Sequence, residues 1–518
     1  MKTLRSFTLA SSLALSLAAC TTTSPQNDST HTMTVDTDDS AGEINPHIYG
    51  HFAEHLGRGI YDGLWKKDAD GDYIIRDDVV DALKDLGVPN LRWPGGCFAD
   101  YYFWQHGIGP KDERPSVVNN LWGGVTEDNS VGTHEFMELV AELETDPIVV
   151  GNVGSGTVED MANWWQYVNH PGDSPMSKLR AENGRAEPWN VEYWGVGNES
   201  WGCGGNMRPE YYADLYRRFA TFLHPYEDVK PFRIAAGAAG ADYNWTDVVM
   251  ERAGDMIDGL DLHHYTIQGS WETHKGQAVD FDESDWFELM DRAIEMDEII
   301  TGHKEMMDKH DPEKRVWLIV GEWGTWHEQE EGSIPGFLYQ QNTLRDALTA
   351  SVTLDIFHQH LDRVKMANIA QTVNVLQAMI LTDGEQMLLT PTYHVFDLYK
   401  VHRGATALPI DLDQGQYRYE GDSLPALSAT ASRDDEGRTH ISLTNIDPNV
   451  ARTVEIDLEE MNVSDVKSGR ILTADAMNAH NTFDNPENLV PQSFNGARVE
   501  DGTLIVELPA KSLVTLEL

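Results

Sequence analysis

The sequence predicts an α/β fold, a (β/α)8 TIM barrel followed by a C-terminal antiparallel β-sandwich of jelly-roll type. Three observations carry this expectation. From residue 44 to about 391, short apolar strand-forming runs alternate with longer segments of helical periodicity. Beyond that point, apolar and polar residues alternate strictly, one by one. Within the first region, two apolar runs end alike, in Gly, Glu and aromatics, as buried strands end at a barrel mouth.

At the N-terminus, Lys2 and Arg5 precede an apolar segment, 7–19, too short to span a bilayer. Leu17-Ala18-Ala19-Cys20 resembles the bacterial lipoprotein box. Residues 1–20 are therefore expected to be a lipoprotein export signal with a lipid anchor at Cys20, and residues 21–30 a polar tether. The alternative is an ordinary cleaved signal peptide. The expected location is the cell envelope, at the outer membrane, since Thr21 rather than Asp follows the cysteine.

Residues 31–43 contain a short alternating strand expected to join the sandwich. The barrel is expected over 44–395, with strands at 44–50, 89–93, 147–151, 191–197, 232–237, 259–263, 316–321 and 366–370. Helices are expected at 211–223, where Leu215, Phe219 and Phe222 fall at helical spacing, and at 286–300 and 343–360. The sandwich is expected over 396–518, with alternating strands at 452–458, 503–508 and 514–518.

The chain has 518 residues, with 38 Lys+Arg against 85 Asp+Glu, a net charge of −47. That balance excludes nucleic acid, anionic membrane surfaces and polyanionic substrates as partners, and favours a neutral polymer or oligosaccharide. A hydrophobic content of 41% with 15 Trp excludes disorder as the meaning of that charge. Besides Cys20, only Cys97 and Cys203 are present, and they either pair or stay as separate buried thiols. Neither a CxxC nor an HExxH pattern occurs, so no metal and no cofactor is expected.

The chemistry concentrates at the two matching strand ends. Tyr193-Trp194-Gly195-Val196-Gly197-Asn198-Glu199 delivers one carboxyl group, flanked by Trp194 and Trp201. Val320-Gly321-Glu322-Trp323 delivers another. On the fourth and seventh strands these glutamates face one another across the barrel mouth. Two carboxyl groups about 5–5.5 Å apart serve a retaining glycosidase. Glu199 is then the acid/base and Glu322 the nucleophile. Taken singly, Glu199 is equally readable as a structural Glu closing a helix N-terminus.

The motifs resemble those of clan A glycoside hydrolases, and within them family 51, the α-L-arabinofuranosidases. Ile48-Tyr49-Gly50-His51-Phe52-Ala53-Glu54 is similar to the family's first-strand motif, and Arg92-Trp93-Pro94-Gly95-Gly96-Cys97 to its second. His263-His264-Tyr265 and Ala370-Gln371-Thr372-Val373-Asn374 are similar to its sixth and eighth. The resemblance implies that Glu54 and Gln371 bind the furanose hydroxyls and that Tyr265 hydrogen-bonds the nucleophile. Asn198 is expected at the 2-hydroxyl and Trp326 at the pocket wall. For Glu54 the plainer reading is a buried ion pair with Arg58 or Arg92, for Tyr265 and Trp326 it is packing, and for Gln371 an ordinary strand-end residue. Cys97 stands where many members carry a sugar-binding Asn, and a thiol is a poor substitute.

The implied activity is exo release of terminal arabinofuranose from arabinoxylan, arabinan or their oligosaccharides, in a chain that forms homo-oligomers. The alternatives are an endo-β-1,4-glucanase of the same family and a non-catalytic glycan-binding lipoprotein.

Overall fold

Eight parallel strands pair side by side until the last meets the first. They are β1 (Gly50–Phe52), β2 (Asn90–Trp93), β3 (Asp146–Gly151), β4 (Tyr193–Val196), β5 (Phe232–Ala239), β6 (Gly259–Thr266), β7 (Trp317–Thr325) and β8 (Val364–Ile369). The ring closes where Asn368 and Ile369 register with Gly50 and His51. This is a computed structural model, and it describes residues 30–37, 39–458 and 465–518. The expected export signal and Cys20 lie outside the described residues. Among those described, no helix is long and apolar enough to cross a membrane.

The barrel predicted from the alternating pattern is present, with shifts at some elements. β1 begins only at Gly50, because Pro46–Tyr49 form a 3-10 turn. Proline fixes the first residue of that turn, and the Asn45 side chain accepts from the His47 N–H at 3.0 Å. The helix expected at 211–223 spans Pro209–Ala220, started by its proline. Its buried face is Tyr212, Ala213, Tyr216, Phe219 and Ala220, so the expected stripe through Phe222 is wrong: that ring is 46% exposed, past the helix end. The helix expected at 286–300 is longer, Glu283–His310, and is capped by Asp282, which accepts from Ser284 and Asp285.

Ile148, Ile234, Ile319 and Met366 fill the barrel interior on the side away from the strand C-termini. At the opposite end, β6 and β7 slip register between Leu262 and His263, and β7 and β8 slip between Val320 and Trp323. Such irregularities re-aim side chains at a barrel rim.

Two sheets form the C-terminal unit. One is five-stranded and takes Thr30–Val35 between Ile410–Leu412 and Arg452–Asp457. The other is seven-stranded, running from Gly42–Glu43 to Gln492–Ser493. Their facing side chains, among them Met33, Ile441, Ile456, Val506 and Leu516, make a separate core. The pairing is antiparallel except that Thr30–Val35 runs parallel to Arg452–Asp457, a departure from the all-antiparallel expectation. The helix Pro391–Tyr399 spans the expected boundary at 395/396, and the strand Thr406–Ala407 follows it.

The helix Leu344–Gln359 lies between barrel and sheets and is buried from Leu344 to His358. Being covered on all sides, it shows weak amphipathic periodicity. Its polar side chains bond across the junction: Ser351 Oγ to Thr444 Oγ1 at 3.0 Å and His358 Nδ1 to Thr430 Oγ1 at 3.0 Å. Asp355 accepts from Ser428 at 2.6 Å and from Tyr399 at 2.9 Å.

Candidate active site

The C-terminal strand ends surround a cavity of about 680 Å³. Glu54, Glu199, Tyr265, Glu322, Trp326 and Gln371, six of the seven residues singled out from sequence, line it. The seventh, Asn198, is buried but does not line the cavity.

Glu199 sits just past β4 with a left-handed backbone (φ 41°) after Gly197 (φ 83°). The turn is fixed from below by Asp100, whose carboxylate accepts from the Asn198 N–H at 2.9 Å, Val153 at 2.7 Å and Gly154 at 2.6 Å. Asn198 Oδ1 in turn accepts from Arg92. Burial raises the Asp100 carboxyl to about 7 against those three donors. Burial also raises Glu199, opposed by the hydrogen bond from His263 and reinforced by the Glu322 charge. The two expected tryptophan walls divide. Trp201 lines the cavity, and its indole donates to Gly237 O at 3.1 Å. Trp194 does not: as a strand neighbour pointing outwards, it is buried edge-on against Trp164 and Trp165 of the helix Val158–Asn169.

Glu322 lies within β7. Its Oε1 accepts from Arg92 Nη1 at 2.9 Å and its Oε2 from Tyr265 Oη at 2.8 Å. Between the glutamates lies His263, with Nδ1 at 3.0 Å from Glu199 Oε1 and 3.5 Å from Glu322 Oε2, and Nε2 at 3.2 Å from Asp261. The facing atoms of Glu199, His263 and Glu322 all lie within 4.8 Å of one another. Burial disfavours a charged imidazole, but the Glu322 and Asp261 carboxylates outweigh it and push His263 up to about 10. With Arg92, it supplies the positive charge that a nest of carboxylates needs.

Glu54, past β1, is not an ion-pair partner of Arg58 or Arg92. Arg92 serves Glu322, and Arg58 donates to Thr382 O at 2.9 Å. Instead, Glu54 accepts from Phe98 N at 2.9 Å, Trp122 Nε1 at 3.0 Å and Gln371 Nε2 at 3.2 Å. Burial and the Glu322 charge raise it to about 7. Gln371 follows a cis peptide bond with Ala370, and its Oε1 has no protein partner. The Trp326 ring meets Tyr265 and Trp271 edge-on, each at 4.9 Å.

The Pro94-Gly95-Gly96 turn has a steric cause. A Cβ on Gly95 would lie 2.6 Å from Glu54 Cγ, and one on Gly96 2.6 Å from Glu322 Oε1. Cys97, next in line, is disulfide-bonded to Cys203, which resolves the choice the sequence left open. The sulfurs lie 3.6 and 3.3 Å from Glu199 Oε2. Carrying no hydrogen, they make packing contacts and not hydrogen bonds.

Sequence reasoning gave no role to His263, Asp261, Asp100 or Trp122. His263 stands two residues before Tyr265 on the same strand, so strand alternation turns both to the same side, and that spacing could have found it. Trp122 comes from a long loop, and nothing in its local sequence places it against Glu54.

The chain matches the family models described as the α-L-arabinofuranosidase 1 domain, over residues 82–284, and the α-L-arabinofuranosidase C-terminal domain, over 321–512. It is 51% identical, over 97% of its length and 98% of the relative's, to an "intracellular exo-α-L-arabinofuranosidase" of Bacteroides ovatus. It is 28% identical, over 91% of its length and 96% of the relative's, to an "intracellular exo-α-(1→5)-L-arabinofuranosidase" of Acetivibrio thermocellus. The crystal structure of a family GH51 arabinofuranosidase from Xanthomonas axonopodis pv. citri superposes with a TM-score of 0.92 at 48% identity, covering 94% of this chain and 99% of that one. These relatives overturn the expectation of an exported envelope lipoprotein anchored at Cys20, since both are named as intracellular enzymes. That expectation rested on Lys2 and Arg5, the apolar run 7–19, the Leu17-Ala18-Ala19-Cys20 box and the polar stretch 21–30, all within the first thirty residues. The relatives match along nearly the whole chain.

Proposed function

The chain belongs to glycoside hydrolase family 51, the α-L-arabinofuranosidases, and on that premise we propose that it removes terminal arabinofuranose from arabinan, arabinoxylan or their oligosaccharides with retention of configuration. The observation that carries this reading is the approach of the Glu199 and Glu322 carboxyl oxygens to within 4.8 Å. That spacing belongs with retaining enzymes, in which one carboxylate attacks directly, and falls short of the roughly 6.5–9.5 Å of an inverting pair.

In this mechanism Glu322, oriented by Tyr265 and Arg92, attacks the anomeric carbon. The bond to the leaving oxygen breaks as Glu199 gives that oxygen its proton. Burial raises Glu199 above the usual carboxylate range, which favours the protonated form that this step needs. A water then attacks the glycosyl-enzyme, its proton returns to Glu199, and Glu322 is freed. Glu54 and Gln371 hold the furanose hydroxyls, and the unpartnered Gln371 Oε1 needs such a donor. Trp326 and Tyr265 form the apolar wall. Asn198 acts from behind, linking Arg92 to the Glu199 turn. Exo action and an intracellular setting are both in keeping with the relatives' names. An endo-glucanase and a non-catalytic binding protein are not favoured, since the relatives are arabinofuranosidases.

The test is a pair of variants. Glu199→Ala is expected to lose roughly 10²- to 10⁴-fold on arabino-oligosaccharides, much less on an activated aryl arabinofuranoside, and to be rescued by azide. Glu322→Ala is expected to lose turnover on both. Full activity of Glu199→Ala on oligosaccharides would sink the assignment.

A further inference from the structure

The active-site cavity extends past the machinery described so far. Glu54 and Gln371 follow β1 and β8, whereas Glu199 follows β4 on the far side of the ring. A furanose held by Glu54 and Gln371, with its scissile oxygen at Glu199, directs the leaving group beyond Glu199, towards β5 and β6. The cavity wall there is Trp201, Ala239, Gly240, His264, Arg292 and Glu295.

Arg292 and Glu295 come from the helix Glu283–His310, three residues apart, and Arg292 Nη1 donates to Glu295 Oε1 at 2.5 Å. Both side chains are close to two-fifths exposed. A solvated pair of this kind contributes little to stability, so holding the fold does not explain its place in the cavity wall. What it offers is hydrogen bonding. A guanidinium has five N–H donors and a carboxylate several acceptor sites, and together they complement neighbouring sugar hydroxyls. The pair is electrically neutral overall. The adjacent His264 is kept neutral too: burial, with the charges of His303 and Arg292, lowers it to about 4. Ala239 and Gly240 leave the floor open, and Trp201 supplies an apolar face.

We infer that Arg292 and Glu295 bind the sugar on the leaving-group side of the scissile bond and set a preference there for an uncharged, hydroxyl-rich residue. The inference rests on the arabinofuranosidase reading above and adds to it the residues that recognise the leaving sugar.

The test measures kcat/KM for the wild type, Arg292→Ala, Glu295→Ala and the double variant. The substrates are an aryl α-L-arabinofuranoside, whose leaving group has no sugar hydroxyls, and α-(1→5)-L-arabinotriose. The ratio of triose to aryl activity is expected to fall at least fivefold in each variant, through KM. A smaller change in the ratio overturns the inference. Because it is a ratio measured on one preparation, a general loss of folded enzyme does not move it. If Arg292→Ala does not fold, Arg292→Gln, which keeps much of the stem, is held to the same criterion. Failure of the wild type to cleave the aryl arabinofuranoside would instead sink the function proposed above.

Discussion

His263 shows how one side chain can tie two proposed roles together. Its Nδ1 reaches both Glu199 and Glu322, and its Nε2 rests on Asp261. Held protonated by the Glu322 and Asp261 carboxylates, it donates to Glu199 and stabilises that carboxyl's ionised form, opposing the rise that burial causes. Glu199 must carry a proton to act as an acid, so activity falls as pH rises through its pKa. Removing the donor lets that pKa rise further. His263→Ala is therefore expected to lower kcat by roughly 10²-fold and to move the alkaline limb of the kcat/KM profile to higher pH. A variant with reduced rate and an unmoved limb would leave His263 a packing residue.

Elements meet at the strand ends, and the turn after β2 is the tightest of these meetings. Gly95 and Gly96 pass against Glu54 and Glu322 with no room for a Cβ, and the Cys97–Cys203 bond then ties this turn to the one after β4. Glu322 is held from two sides by Arg92 and Tyr265 and cannot yield without losing a partner. Gly96→Ala is expected to cost roughly 10²-fold in kcat through displacement of Glu322, while circular dichroism shows the barrel intact. Near wild-type turnover would mean that the backbone gives way and that the glycine pair serves only the turn.

Across the whole molecule, the junction between barrel and sheets is polar as well as apolar. Asp355 is buried there with Ser428 and Tyr399 as donors, and burial raises it to about 7. Its unfolded value is near 3.9. The neutral form thus favours the fold: the stability it contributes is full below about pH 4 and is lost as pH rises through about 7. Asp355→Asn, which cannot ionise, is expected to gain in Tm relative to wild type between pH 4 and pH 7. Parallel Tm profiles for the two proteins would show that Asp355 does not titrate across that interval in the fold.

Alternation of strands and helices in the sequence determined the barrel, because a parallel strand buried on both faces must be short and apolar. The paired Gly-Glu strand ends singled out Glu199 and Glu322, and the motifs around them singled out Glu54, Tyr265 and Gln371. These are legible because each is fixed by its own few neighbours. The export reading also drew on a local pattern, and it is overturned by relatives that are named as intracellular. Tertiary structure alone decided what depends on two distant segments meeting. It paired Cys97 with Cys203, 106 residues apart. It turned Trp194 outwards into the helix layer and brought Trp122 from a long loop to Glu54. It also placed Arg292 and Glu295, an unremarked pair on a long helix, at the far end of the cavity. Local sequence sets which way a side chain points along its own strand or helix, but closure of the ring sets what it faces.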